Sequence, residues 1–221
     1  MRSEDYIELN DTWGAHNYHP LPVVLTRGKG VWVWDVEGRK YMDMLSSYSA
    51  INQGHLNDHI VGKAKEQLDA LTLTSRAFHN DRLAPFLEHL CRVAGMEMAL
   101  PMNTGAEAVE TAIKLARKYS YELAGKPEDQ GEIIVAENNF HGRTTTIVGF
   151  STDPSARKGF GPFGPGFRAV PFNDLDAMGE AVNDNTIAIL LSPSRPRPAS
   201  SYRTTATSRA SGSSVTGRAS S

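Results

Sequence analysis

The second half of the chain alternates short apolar runs with stretches of helical period. Residues 96–102 are mostly apolar and short enough for a buried strand. Val109, Ala112, Ile113 and Ala116 then recur at helical spacing, on a helix expected to end near Gly125. Residues 132–136 (Glu-Ile-Ile-Val-Ala) suit a strand buried on both faces. A short helix over 175–182 and another buried strand over 186–191 follow. Earlier, Ile60, Ala64, Gln67, Leu68 and Leu71 share one side of a helix predicted over 58–71, and a second helix is predicted over 82–93. Residues 23–25, 31–34 and 41–45 read as strands, with turns at Lys29-Gly30 and Glu37-Gly38, forming a small antiparallel unit. Residues 13–22 carry two prolines and no period, and 159–167 form a Gly/Pro-rich surface loop. Strands alternating with helices predict an α/β domain with a largely parallel sheet.

Composition narrows the class. With 40% hydrophobic and 22% charged residues, the pattern is that of a globular protein, and a formal charge of −2 favours neither nucleic acid nor an anionic membrane as partner. Cys91 is the one cysteine and suits a reducing compartment. The first twelve residues are acidic and polar, unlike a signal or transit peptide, and no apolar run approaches the ~20 residues of a membrane span. His16 and His19 sit in a Pro-rich segment and Cys91 lacks a companion, so no metal site is expected. Residues 192–221 break the pattern: ten serines, five arginines and no acidic residue, a tail expected to be disordered.

Two loops carry candidate chemistry. In Met102-Asn103-Thr104-Gly105-Ala106-Glu107, Thr104 and Glu107 have capping-box spacing, Gly105 admits close approach, and the unpaired amides of the helix start suit a phosphate. An ordinary capped helix explains the same residues. In Asn139-Phe140-His141-Gly142-Arg143-Thr144, Phe140 suits stacking on a flat ring, Arg143 suits a carboxylate, and His141 suits hydrogen bonding or titration. A Phe plugged into the core and a solvated Arg is the plainer alternative. Tyr18 and Tyr48 read as packing aromatics or as polar-tipped contacts in a cleft. Both loops leave the carboxyl ends of predicted strands, where α/β sheets bind ligands, and are expected to face one pocket.

Taken together and in order, Asn17-Tyr18-His19-Pro20-Leu21-Pro22-Val23, Gly28-Lys29-Gly30, the segment 34–41, Tyr48-Ser49-Ala50-Ile51-Asn52-Gln53-Gly54-His55, Leu73 to Phe78, Met102 to Thr111, Asn139 to Thr144 and Gly159-Phe160-Gly161-Pro162-Phe163 change the picture. Residues 10–191 closely resemble the ornithine aminotransferases, a family of class III, fold-type I enzymes that use pyridoxal 5′-phosphate. The resemblance implies an incomplete fold-type I architecture: a mostly parallel sheet with flanking helices plus a small N-terminal antiparallel β unit. It implies a first segment over 1–55, a partial cofactor-binding α/β domain over 56–191 and the tail over 192–221. Thr104, Gly105 and Ala106 look like the phosphate cradle. Phe140 looks like the aromatic on the pyridine ring, with His141 beside it. Tyr18 and Arg143 look like the clamp on the substrate carboxylate, and Tyr48 like the side chain shaping the pocket for the δ-amine. The family moves the δ-amino group of L-ornithine to 2-oxoglutarate, giving glutamate 5-semialdehyde and glutamate. The run Asn17 to Pro22 with Tyr48 favours ornithine over acetylornithine or 4-aminobutyrate as donor. A cytoplasmic homodimer acting on small amino and oxo acids is implied.

The resemblance stops at Leu191. The family's next segment begins Glu-Pro-Ile-Gln, and its Schiff-base lysine and pyridine-pairing aspartate lie further on, so no residue here is expected to be the covalent anchor and this chain alone is expected to be inactive. Read one nucleotide out of register, codons for the tail can spell Glu-Pro-Ile-Gln and a continuation in the same style. A shift of frame after Leu191 is therefore expected.

Overall fold

The computed structural model describes residues 1–192; the tail expected over 192–221 lies outside the described residues from 193 on. The chain divides into two compact units, with the break after Gly95.

The first unit opens with helix α1 (Ser3–Trp13). Its start is fixed from outside: Glu37 accepts hydrogen bonds from the Ser3 backbone N–H and hydroxyl, both 2.7 Å. Three antiparallel strands follow, β1 (Leu25–Lys29), β2 (Trp32–Asp35) and β3 (Lys40–Met42), in the order β1-β2-β3. They confirm the predicted antiparallel unit, with β2 one residue on from its apolar run, β1 meeting its run only at Leu25, and β3 ending three residues short of the predicted 45. Asp35 is buried at the end of β2 and accepts from the Arg39 backbone N–H and Nε and from the Tyr41 hydroxyl. Burial pushes its carboxyl up, but those three donors outweigh it and hold the carboxyl below the usual aspartate value.

Next comes α2 (Ser46–Ser49), a short turn of the opposite hand. Ser46, Ser47, Tyr48 and Ser49 all have positive φ, between 49° and 72°. Asp43 anchors its entry by accepting from the Leu45 and Ser46 amides, and His55 Nε2 lies 2.8 Å from the same carboxylate. Helices α3 (Asp58–Ala70) and α4 (Leu83–Ala94) complete the unit close to their predicted bounds. Asn57 caps α3 through the His59 and Ile60 amides, and Gly95 ends α4 in the left-handed conformation that favours glycine.

The second unit is an α/β layer. Residues 96–102 do not form the predicted strand; Met98 is 87% exposed, and no described strand pairs with the segment. Apolar content alone does not make a strand where no neighbour offers a ladder. Helix α5 (Gly105–Glu122) follows, then β4 (Glu132–Ala136), α6 (Thr145–Gly149), α7 (Pro154–Arg157), β5 (Phe167–Val170), α8 (Leu175–Ala181) and β6 (Thr186–Leu190). The sheet runs β5-β4-β6, parallel on both sides of β4. As its unbroken apolar run predicted, β4 is buried on both faces. Ile133 and Val135 pack with Ile113 of α5 and with Ile147 and Phe150, while Ile134 packs with Val170, Met178 and Ala181 on the other face. This central position aims the carboxyl end of β4 into the 137–144 loop.

Candidate functional site

The start of α5 is built as its spacing predicted. Thr104 is the N-cap: its hydroxyl accepts from the Glu107 amide at 3.1 Å, and the Glu107 carboxylate accepts from the Thr104 amide at 3.0 Å. The next two amides, of Gly105 and Ala106, make no hydrogen bond among the described residues. They stand at the positive end of an 18-residue helix, and a Cβ built on Gly105 meets nothing within 4 Å. The helix start is thus rich in unpaired donors and open around Gly105.

The second loop is held at its base. Asn138 takes a positive φ and donates its amide to the Thr152 hydroxyl at 2.7 Å; Asn139 Nδ2 donates to the Ala136 carbonyl at 2.7 Å. Phe140 is 54% exposed, so it does not plug the core. His141 turns inward, its ring 5.9 Å from that of Phe150. Its Nε2 is buried and has no hydrogen-bond partner among the described residues. Burial pushes the imidazole below its ordinary value, keeping it neutral at pH 7. Arg143 is exposed at the end of the loop.

The two loops meet. Gly142 has a φ of +136°, and a Cβ there would lie 3.1 Å from the Ala106 Cβ and 2.9 Å from the Ile147 Cδ1. One turn further along α5, the Thr144 hydroxyl donates to the Glu110 carboxylate and also accepts from the Ile147 amide at 3.3 Å, capping α6. Thr104, Gly105, Ala106, Phe140, His141 and Arg143 therefore share one end of the second unit. Tyr18 and Tyr48 belong to the first unit, 55% and 72% exposed, and neither is a core aromatic there. The reading of isolated motifs passed over Glu110 and Thr144. Thr144 stands just before an apolar run, a capping signal; Glu110 carries no local signal, because its partner is 34 residues away.

Such an arrangement can grip a small anion through backbone amides, lay an aromatic face beside it and present a guanidinium to a carboxylate. Residues 13–194 match the model of the aminotransferase class-III family. The chain is 56% identical over 187 residues to the ornithine aminotransferase of Brevibacillus brevis, covering 85% of this chain and 47% of that protein. It thus spans about half the length of the curated relatives it matches. Among solved structures, it is similar to an ornithine aminotransferase from Toxoplasma gondii with partial occupancy of PLP at its active site (TM-score 0.85, 39% identity, 87% of this chain and 46% of that one). It is also similar to the acetylornithine aminotransferase of Elizabethkingia anophelis (TM-score 0.80, 43% identity, 96% and 50%). The two meeting loops, the parallel sheet behind them and the match over most of the chain lead to one conclusion: this chain belongs to the class III aminotransferases.

Proposed function

We propose that this chain carries the phosphate- and ring-binding part of an ornithine aminotransferase, an enzyme that passes the δ-amino group of L-ornithine to 2-oxoglutarate and yields glutamate 5-semialdehyde and glutamate. The observation that carries this reading is the packing of Gly142 on Ala106, which sets an open helix start beside an exposed Phe140. The names of the relatives at 56% and 55% identity supply the donor.

The residues fit pyridoxal 5′-phosphate. The free Gly105 and Ala106 amides and the Thr104 cap suit its phosphate, the exposed face of Phe140 suits its ring, and the orphaned Nε2 of His141 is a buried polar atom awaiting a partner. When bound, that cofactor supplies an electron-accepting ring that stabilises negative charge at the carbon beside the substrate nitrogen. Arg143 is proposed to bind the substrate carboxylate; for Tyr18 a carboxylate contact and for Tyr48 the shaping of room for the δ-amine are proposed on the family resemblance alone. A neutral His141 offers a hydrogen bond without adding a charge beside the site. No lysine here is assigned as covalent anchor, and the chain by itself is proposed to bind without turning over. A shift of reading frame after Leu191 is proposed as the reason, and a cytoplasmic homodimer as the setting of the intact enzyme; the lone cysteine and the apolar side chains exposed on α3 and α4 support that setting.

The purified chain is tested by calorimetric titration with 4-deoxypyridoxine 5′-phosphate, which lacks the aldehyde and so cannot react with stray lysines. Saturable binding supports the pocket, and a folded chain that ignores the probe sinks it. N-acetylornithine is the second reading of the donor, carried by the 43% identity to an acetylornithine enzyme, which is below the 56% to an ornithine enzyme. Sequencing the gene across the codons for Leu190 to Pro193, then assaying the frame-restored product with ornithine, N-acetylornithine and 4-aminobutyrate, decides between donors; preference for either of the latter two overturns the ornithine reading.

A further inference from the structure

We propose that Glu110 is a positioning residue that sets the spacing between the anion cradle and the aromatic loop. The proposal rests on the pocket reading above. Ala106, Glu110 and Ile113 lie at i, i+4 and i+7, along one face of α5. Each meets the 142–147 segment in turn. Ala106 backs onto Gly142, Glu110 accepts from the Thr144 hydroxyl, and Ile113 shares a core cluster with Ile147. The outer two contacts are van der Waals contacts and tolerate sliding along the helix. Glu110–Thr144 is the one directional bond of the three, so it fixes the register.

The Thr144 hydroxyl is used twice, donating to Glu110 and accepting from the Ile147 amide. Removing the carboxylate leaves the hydroxyl proton without its acceptor, in a half-buried setting, and loosens the α6 cap with it. Phe140 is four residues upstream of that anchor, so its ring would lose a defined height above the cradle. Glu110 itself touches neither cradle amide. Phosphate binding alone therefore should not depend on it, whereas binding of phosphate and ring together should.

The test compares Glu110→Ala, Glu110→Gln and Thr144→Val in the full 221-residue chain. Two readouts are used: amide hydrogen exchange over 139–148, and affinity for inorganic phosphate against 4-deoxypyridoxine 5′-phosphate. Glu110→Ala and Thr144→Val should speed exchange in that segment about tenfold and weaken the ring-bearing probe about tenfold, with phosphate changed less than about twofold. Glu110→Gln should restore both, because its amide oxygen still accepts. Unchanged exchange in Glu110→Ala, equal damage from Glu110→Gln, or a uniform acceleration through β4 and α5 overturns the proposal. A wild-type chain that binds neither probe overturns the pocket reading instead, and the exchange comparison still decides the role of Glu110.

Discussion

Gly142 stands against Ala106 with no room between them: a Cβ on Gly142 would come within 3.1 Å of the alanine Cβ. The same Cβ would press the Ile147 Cδ1 at 2.9 Å, and φ there is +136°. Gly142→Ala is therefore expected to destabilise the second unit by about 1–3 kcal/mol, from crowding and backbone strain together. Urea unfolding measures it; an alanine variant as stable as the wild type would mean that the loop stands clear of α5.

The Thr104 cap makes a second expectation. Thr104→Ala removes the hydroxyl that satisfies the Glu107 amide. A loss of about 1 kcal/mol is expected, with Thr104→Ser retaining most of it. Thermal unfolding of the three chains side by side measures the difference. Inorganic phosphate should bind the alanine variant more weakly, since the cradle loses a fixed edge.

Phe140 separates stability from binding. Its ring is more than half exposed, so Phe140→Ala should change stability by no more than about 0.5 kcal/mol. The ring-bearing probe should lose several-fold in affinity, about the worth of one aromatic stack, while inorganic phosphate is unaffected. A variant that unfolds readily would show instead that Phe140 is a packing residue.

His141 predicts an acid-side effect. Burial lowers its pKa in the folded chain, so the unfolded chain takes up the proton first as pH falls. Stability should decline from about pH 6.5, the ordinary histidine value, down to the folded pKa, below which the decline from this group ends. His141→Gln should flatten that part of the stability profile between pH 7 and 5. An identical slope in both chains would place the imidazole in water.

The sequence made β4 and α5 legible for different reasons. Residues 133–136 are an apolar run, Ile-Ile-Val-Ala, entered from Glu132, which suits a strand covered on both faces, and β4 spans 132–136. The start of α5 was written in two side chains three residues apart. Strand β5 was not legible: four residues with Arg168 among them become a strand because β4 lies alongside, a relation no local period encodes. The strand expected over 96–102 failed in reverse, having composition but no ladder. Helix α1 hid for a third reason, since its N-terminus is held by Glu37, far along the chain. The cradle and the ring loop could be named from their residues, but their meeting depends on Gly142 lacking a side chain, a fact about space rather than pattern.

The turn that carries Tyr48 winds the wrong way for L-amino acids, and none of its four residues is glycine. Each left-handed residue forgoes roughly 1–2 kcal/mol relative to its right-handed form. Such a turn cannot persist on its own preferences; Asp43, gripping two amides and His55, keeps it wound. The backbone leading into Tyr48 is thus held by a carboxylate five residues upstream. Loosening that grip would favour a return of the four residues to right-handed backbone, and Tyr48 would be carried on a differently wound turn.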